Sequence, residues 1–120
     1  MLNLDTHILV AVLVGALTAH ERDVLESEPE WGISSIVHWE LAMLAKRGRI
    51  ELDLAARELH DVLRALHVFP ITLELARVSC TLDFNADPAD HLIVATSIVH
   101  DIPLMTRDAK IRRSKLVRLA

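Results

Sequence analysis

Asp87-Pro88-Ala89-Asp90-His91-Leu92-Ile93-Val94-Ala95-Thr96-Ser97-Ile98-Val99-His100, followed closely by Leu104-Met105-Thr106, decides the fold. Asp87 suits a helix cap, and Pro88 suits the first helical position, where its missing N–H has no partner to lose. The helix it opens is expected to run to about His100, and Leu104 to Thr106 reads as a short apolar strand. Reading back toward the N-terminus repeats the alternation. Val68 to Ile71 reads as a strand, with Thr72 able to cap the helix after it. Asp53 is placed to cap a helix carrying Ala55, Leu59, Val62, Leu63 and Leu66 on one face. Ser35 is placed to cap a helix that ends near Arg47 at Gly48, and Trp31 to Ser34 precedes it as a strand. Thr18 and Glu21 have the spacing of a capping box for a helix to about Ser27. A helix from about His7 to Val14, stopped by Gly15, follows a strand from Leu2 to Asp5. After Thr106 a short helical piece and a last strand near Leu116 to Arg118 complete the chain. Strands alternating with helices imply an α/β domain over residues 1–120, with a parallel sheet of about four to five short strands and helices on both faces.

At 120 residues, 52% of them hydrophobic, the chain affords one core without staples. Its single cysteine, Cys80, excludes an internal disulfide and a cysteine zinc site, and it is expected to be a buried small apolar residue. The seven histidines form no HxH or HxxH pair, which disfavours a transition-metal site. No phosphate-binding glycine loop occurs. No leader and no long apolar run is read, so a cytoplasmic protein off the membrane is expected. The net charge of −4 argues against a general nucleic-acid coat. The segment from Arg107 onward departs from it, with Arg107, Lys110, Arg112, Arg113, Lys115 and Arg118 against one acid, Asp108. That segment could attract phosphates or be a solvated surface.

Four acids have unusual neighbours. Glu40 lies mid-helix with Ile36, Val37, Met43 and Leu44 at helical spacing, so it projects from the core-facing side, where an unpartnered carboxylate is expensive. Asp5 ends a strand. Asp108 follows a strand, and Asp90 lies one turn into its helix. Ligands of a parallel sheet bind beyond the carboxyl ends of its strands, where all four acids can meet. Together they would raise one another's pKa values, and a hard divalent cation, Mg²⁺ or Mn²⁺, removes that conflict. Each of Asp5, Asp90 and Asp108 also has a simpler reading as a cap or a dipole partner, and Asp87 reads as a cap whatever else it does. If repulsion dominates, a neutral isostere at Asp5 or Glu40 raises stability in the absence of metal.

The blocks Leu4-Asp5-Thr6-His7, Ile33-Ser34-Ser35, Trp39-Glu40-Leu41-Ala42, Gly48-Arg49-Ile50, Asp87 to Ala95 and Leu104 to Asp108 occur in that order. In this the chain resembles PIN domains, and most of all the VapC-type toxins of toxin–antitoxin pairs. The resemblance implies a Mg²⁺- or Mn²⁺-dependent endoribonuclease that cleaves RNA, forms a homodimer and is blocked by a cognate antitoxin. By position Asp5, Glu40 and Asp90 match the metal-binding acids, Asp108 a fourth and more variable acid, and Thr106 a polar residue lining the site. Asp87 and Ser35 stand at its margin. The chain departs from the family at Ala89 and His91, where an aromatic residue and an arginine are common, which bears on substrate preference. Two other readings stay open. One is a non-catalytic PIN-like interaction module that binds no Mn²⁺. The other is a phosphotransfer receiver or small phosphohydrolase, which needs an acid pair or an Asp-x-Asp at the first strand; Asn3 denies Asp5 the second, and no adjacent acid pair occurs there.

Overall fold

The computed structural model describes residues 1–120. Four strands, β1 (Leu2–Leu4), β2 (Trp31–Ser34), β3 (His67–Phe69) and β4 (Leu104–Met105), form one parallel sheet in the order β3-β2-β1-β4. Every residue of β1 is buried. Successive strand residues point to opposite faces, so both faces of the sheet are covered, as parallel pairing with helical crossovers requires. The covering helices are α1 (Thr6–Val14), α2 (Ala19–Ser27), α3 (Ile36–Lys46), α4 (Arg57–Ala65), α5 (Leu73–Ser79), α6 (Pro88–His100) and the single turn α7 (Ala109–Arg112). Leu2, Leu4, Ile8, Ile33, Val37, Ile93 and Leu104 are at the centre of one continuous core.

The local signals hold where they are self-contained. Thr18 and Glu21 form both bonds of the capping box, Thr72 caps α5, and Gly15 ends α1 in the left-handed region. Others give way. Ser35 has helical dihedrals and makes no capping bond, and the Ser34 hydroxyl instead accepts weakly from the Ile36 amide at 3.4 Å. Asp53 closes a turn onto the Ala55 amide, and α4 begins only at Arg57. The third strand lies two residues earlier at its end than expected, because Pro70 cannot donate to the ladder. The last strand reduces to one parallel bridge between Leu104 and Leu119. Cys80 is exposed rather than buried.

Gly32 is required by close approach. A Cβ there would stand 2.6 Å from Cε2 of Phe69 and 3.1 Å from the His67 carbonyl oxygen, and β2 is hemmed in by strands on both sides. Gly32→Ala is expected to cost about 1–3 kcal/mol through overpacking, read by urea unfolding. An unchanged midpoint would mean that Phe69 swings aside freely.

Candidate metal centre

β1, β2 and β3 succeed one another in one direction across the sheet, and β4 returns to the other side of β1. The strand order therefore reverses between β1 and β4. A crevice opens there, beyond the carboxyl ends of the two strands, where the connections leave in opposite directions. Asp5 and Thr106 are the residues that follow β1 and β4 into it.

Asp5 is only 5% exposed. One of its oxygens, Oδ1, accepts from the Thr6 amide at 2.8 Å and so caps α1. Its Oδ2 accepts from the Thr106 hydroxyl at 2.6 Å. That hydroxyl oxygen accepts in turn from the Asp108 amide at 3.1 Å, so Thr106 ties the ends of β1 and β4 together. The Thr6 hydroxyl donates to Oε1 of Glu40 at 2.5 Å, which links α1 to α3. Glu40 is half-buried, as its apolar neighbours on α3 imply. Asp108 caps α7 through Oδ1, which accepts from the Lys110 and Ile111 amides.

Asp90 stands differently. It is half-buried at the start of α6, and its carboxyl is pushed up to about 6. Burial is the main cause. The charges of Asp5, Glu40, Asp108 and Asp87 follow, and no hydrogen bond offsets them. Asp5 and Glu40 are also raised, chiefly by burial, although the Thr106 and Thr6 hydroxyls pull back. The four acids singled out in the sequence therefore share one electrostatic field. Asp87 joins them with its carboxylate free. It occupies the cap position of α6 by its backbone, but its side chain makes no capping bond, contrary to the sequence reading. Ser35 makes no hydrogen bond to any of these acids, and its amide donates to the Phe69 carbonyl oxygen.

The donor set is all carboxylate and hydroxyl oxygen, which suits a hard cation and no soft one. No three of the acids are placed to hold an ion directly. Both oxygens of Asp5 already accept hydrogen bonds. This arrangement fits an ion that keeps much of its water and touches one or two carboxylates, in the manner of Mg²⁺, rather than a dry cage.

One residue of the centre was not singled out for its role. Thr6 is 2% exposed and joins Asp5 to Glu40, but 34 positions separate its hydroxyl from Glu40, and no local pattern announces that pairing. Arg107, counted among the phosphate-seeking residues, is spent on Glu21 at 2.6 Å and on the Ala16 carbonyl. His91 is half-buried, and its Nε2 lies 3.0 Å from the Phe84 carbonyl oxygen.

Thr106→Val removes the donor to Asp5 and the acceptor for the Asp108 amide. Leaving two polar groups of this crevice unpaired is expected to cost about 1–3 kcal/mol in chemical unfolding. A loss below about 0.5 kcal/mol would show that water replaces the hydroxyl.

The model of the PIN domain family matches residues 3–115. Ribonuclease VapC22 of Mycobacterium tuberculosis is 34% identical over 100 residues, which are 80% of this chain and 76% of that protein. Among solved structures, a toxin–antitoxin complex from Klebsiella pneumoniae superposes with a TM-score of 0.73 at 24% identity, covering 94% of this chain and 91% of that one. VapBC2 from Rickettsia felis, bound to a promoter DNA fragment, gives 0.74 at 19% identity over 100% and 98%. The structural likenesses concern the fold, while the family match and the VapC22 sequence settle the kinship. The chain belongs to the PIN domain family.

Proposed function

We propose that this protein is a Mg²⁺- or Mn²⁺-dependent endoribonuclease, the toxin of a type II toxin–antitoxin pair. The observation that carries this reading is Asp90, a half-buried carboxyl without a hydrogen bond, lifted to about 6 by burial and by four other acids. A group kept so unfavourable has a strong affinity for positive charge, and such groups concentrate at functional sites. Asp5, Glu40, Asp90 and Asp108 would hold the cation, directly or through its waters. Once bound, the cation supplies charge to a phosphodiester oxygen and lowers the pKa of coordinated water. The chain's own residues set the geometry. Thr6 and Thr106 fix the Asp5 carboxylate from both sides, and Thr6 also aims Glu40. Asp90 has no hydrogen bond within the protein, so its carboxylate is the one left open to face the cation or a water that the cation holds.

A related ribonuclease and related toxin–antitoxin assemblies support the reading. The surface supports a protein partner. A groove of about 650 Å³ runs between α3 and α6 beside Glu40 and Asp87, lined by Ile36, Met43, Leu44 and Leu92. Trp39 on its rim is 54% exposed. An antitoxin segment seated there would cover the carboxylates. We take the active form to be a homodimer in the cytoplasm. No helix is long and apolar enough to cross a membrane.

The test is cleavage of total RNA by the purified protein with Mg²⁺, with Mn²⁺ and with EDTA. Discrete fragments that vanish with EDTA and in the Asp90→Asn variant are expected. An RNA pattern unchanged by the protein under all conditions would favour the non-catalytic interaction module instead.

A further inference from the structure

Beside the crevice, a hollow lined by Asn85, Asp87, Asp90, Asp108 and Lys110 opens to solvent. Asn85 and Lys110 also line a second hollow, of about 330 Å³, whose other walls are Asp83, Phe84, Arg113 and Ser114. The two hollows share a wall, and the sign of charge changes across it. The chain as a whole carries −4, so a local excess of cations is a departure that calls for a cause.

The basic residues after position 106 differ in their partners. Arg107 is paired with Glu21, and Arg118 lies 3.8 Å from Asp101. The Arg112 guanidinium donates to the Thr106 carbonyl. Lys110, Arg113 and Lys115 are exposed, and no salt bridge engages any of them, but only Lys110 and Arg113 line the hollow. Asp83 is the one acid in their hollow. Its carboxylate accepts from the Ser114 hydroxyl at 2.6 Å and the Lys115 amide at 3.1 Å, and these bonds fix the turn that follows α7. The hollow thus keeps an excess of one positive charge on a braced segment.

Five acids in the neighbouring crevice repel a polyanion. A cation there offsets the charge at one phosphate only, and the adjoining phosphates of a strand need protein cations of their own. We propose that the hollow between Asn85 and α7 is a phosphate subsite, in which Lys110 and Arg113 hold a backbone phosphate of single-stranded RNA next to the one at the carboxylates. This inference rests on the nuclease reading above. Lys110, on the shared wall, lies between the two phosphates, and Arg113 holds the farther one.

The experiment titrates a fluorescein-labelled twelve-nucleotide oligothymidine by anisotropy, in Mn²⁺, across a range of salt. Its backbone carries the same phosphates, and a ribonuclease leaves it intact. The wild type is compared with Lys110→Gln/Arg113→Gln and with Arg57→Gln/Arg64→Gln, which removes equal charge from exposed α4. The first double variant is expected to bind about tenfold more weakly at low salt. Its slope of log affinity against log salt should be shallower by about 1.4, two single-strand contacts. The α4 variant should match the wild type in both. Equal losses in the two variants, no loss in either, or no binding by the wild type would each overturn the subsite. Melting of the same three proteins with Mn²⁺ keeps the two proposals apart. A retained Mn²⁺ shift with unchanged oligonucleotide binding removes the subsite alone, whereas a missing shift in the wild type removes the metal-dependent reading.

Discussion

Asp90→Asn is expected to stabilise the metal-free protein at neutral pH, to abolish its response to Mn²⁺ and to lower RNA cleavage at least about 10²-fold. The stability part follows from linkage. The folded-state carboxyl is pushed up to about 6 from an ordinary 3.8, so the unfolded chain releases this proton first. Below about pH 4 both states are protonated and the group is neutral to stability. Between about pH 4 and 6 the unfolded state is favoured increasingly, and above 6 the penalty is complete. Allowing for solvent screening at a half-buried site, it is on the order of 1–2 kcal/mol. The amide carries no charge and removes it. Asp90 has no hydrogen bond to lose, which distinguishes it from Asp5 and Glu40, the positions at which the sequence placed this test. Asp5→Asn disturbs a helix cap and the Thr106 contact, so repulsion relieved there is offset. The activity part follows from losing several kcal/mol of charge stabilisation in the transition state. Melting curves from pH 4 to 8 check the first part. A variant less stable than wild type at pH 7 without metal would mean that Asp90 is structural.

Asn3→Asp is expected to cost about 3–5 kcal/mol at pH 7, enough to unfold much of the protein. Asn3 is completely buried, and its amide donates to the Ile93 carbonyl at 3.0 Å and to the Ser97 hydroxyl at 2.9 Å. These bonds fasten β1 to α6, and so fix the element that delivers Asp5 against the one that delivers Asp90. An ionised Asp has the same shape but no donor, and it would face the Ile93 carbonyl with an uncompensated charge. Its own pKa must rise, so acidification should recover part of the loss. The sequence showed only that Asn3 denies Asp5 an Asp-x-Asp partner. The packing explains why an acid is not tolerated there. Urea unfolding at pH 5 and pH 7 measures both effects, and a loss under about 1 kcal/mol would show that water reaches the Asn3 side chain.

Strand and helix order was legible because it rests on local signals. The box of Thr18 and Glu21 needs only residues three apart, and Asp87-Pro88 restricts the backbone by itself. Caps were less legible. Ser35, Asp53 and Asp87 have capping side chains, but packing selects the backbone dihedrals that place them, and none caps its helix as read. For Asp87 the failure is informative, because a carboxylate released from capping is available to the acid cluster. Glu40 was legible from its apolar neighbours alone. Thr6 and Arg107 were not, because their partners are 34 and 86 residues away. The acid cluster was legible as a set of residues and not as a geometry. The acids gather in one field without closing on a single point.

The most direct test of the account is the melting temperature at pH 7 of the wild type and Asp90→Asn, each with and without millimolar Mn²⁺. An ion held at ten times its Kd contributes about 1.4 kcal/mol, several degrees for a domain of this size. An ion on these carboxylates produces that rise in the wild type and none in the variant, whose metal-free melting temperature already exceeds the wild type's. An equal rise in both proteins would place the ion elsewhere and contradict the assignment of the carboxylates.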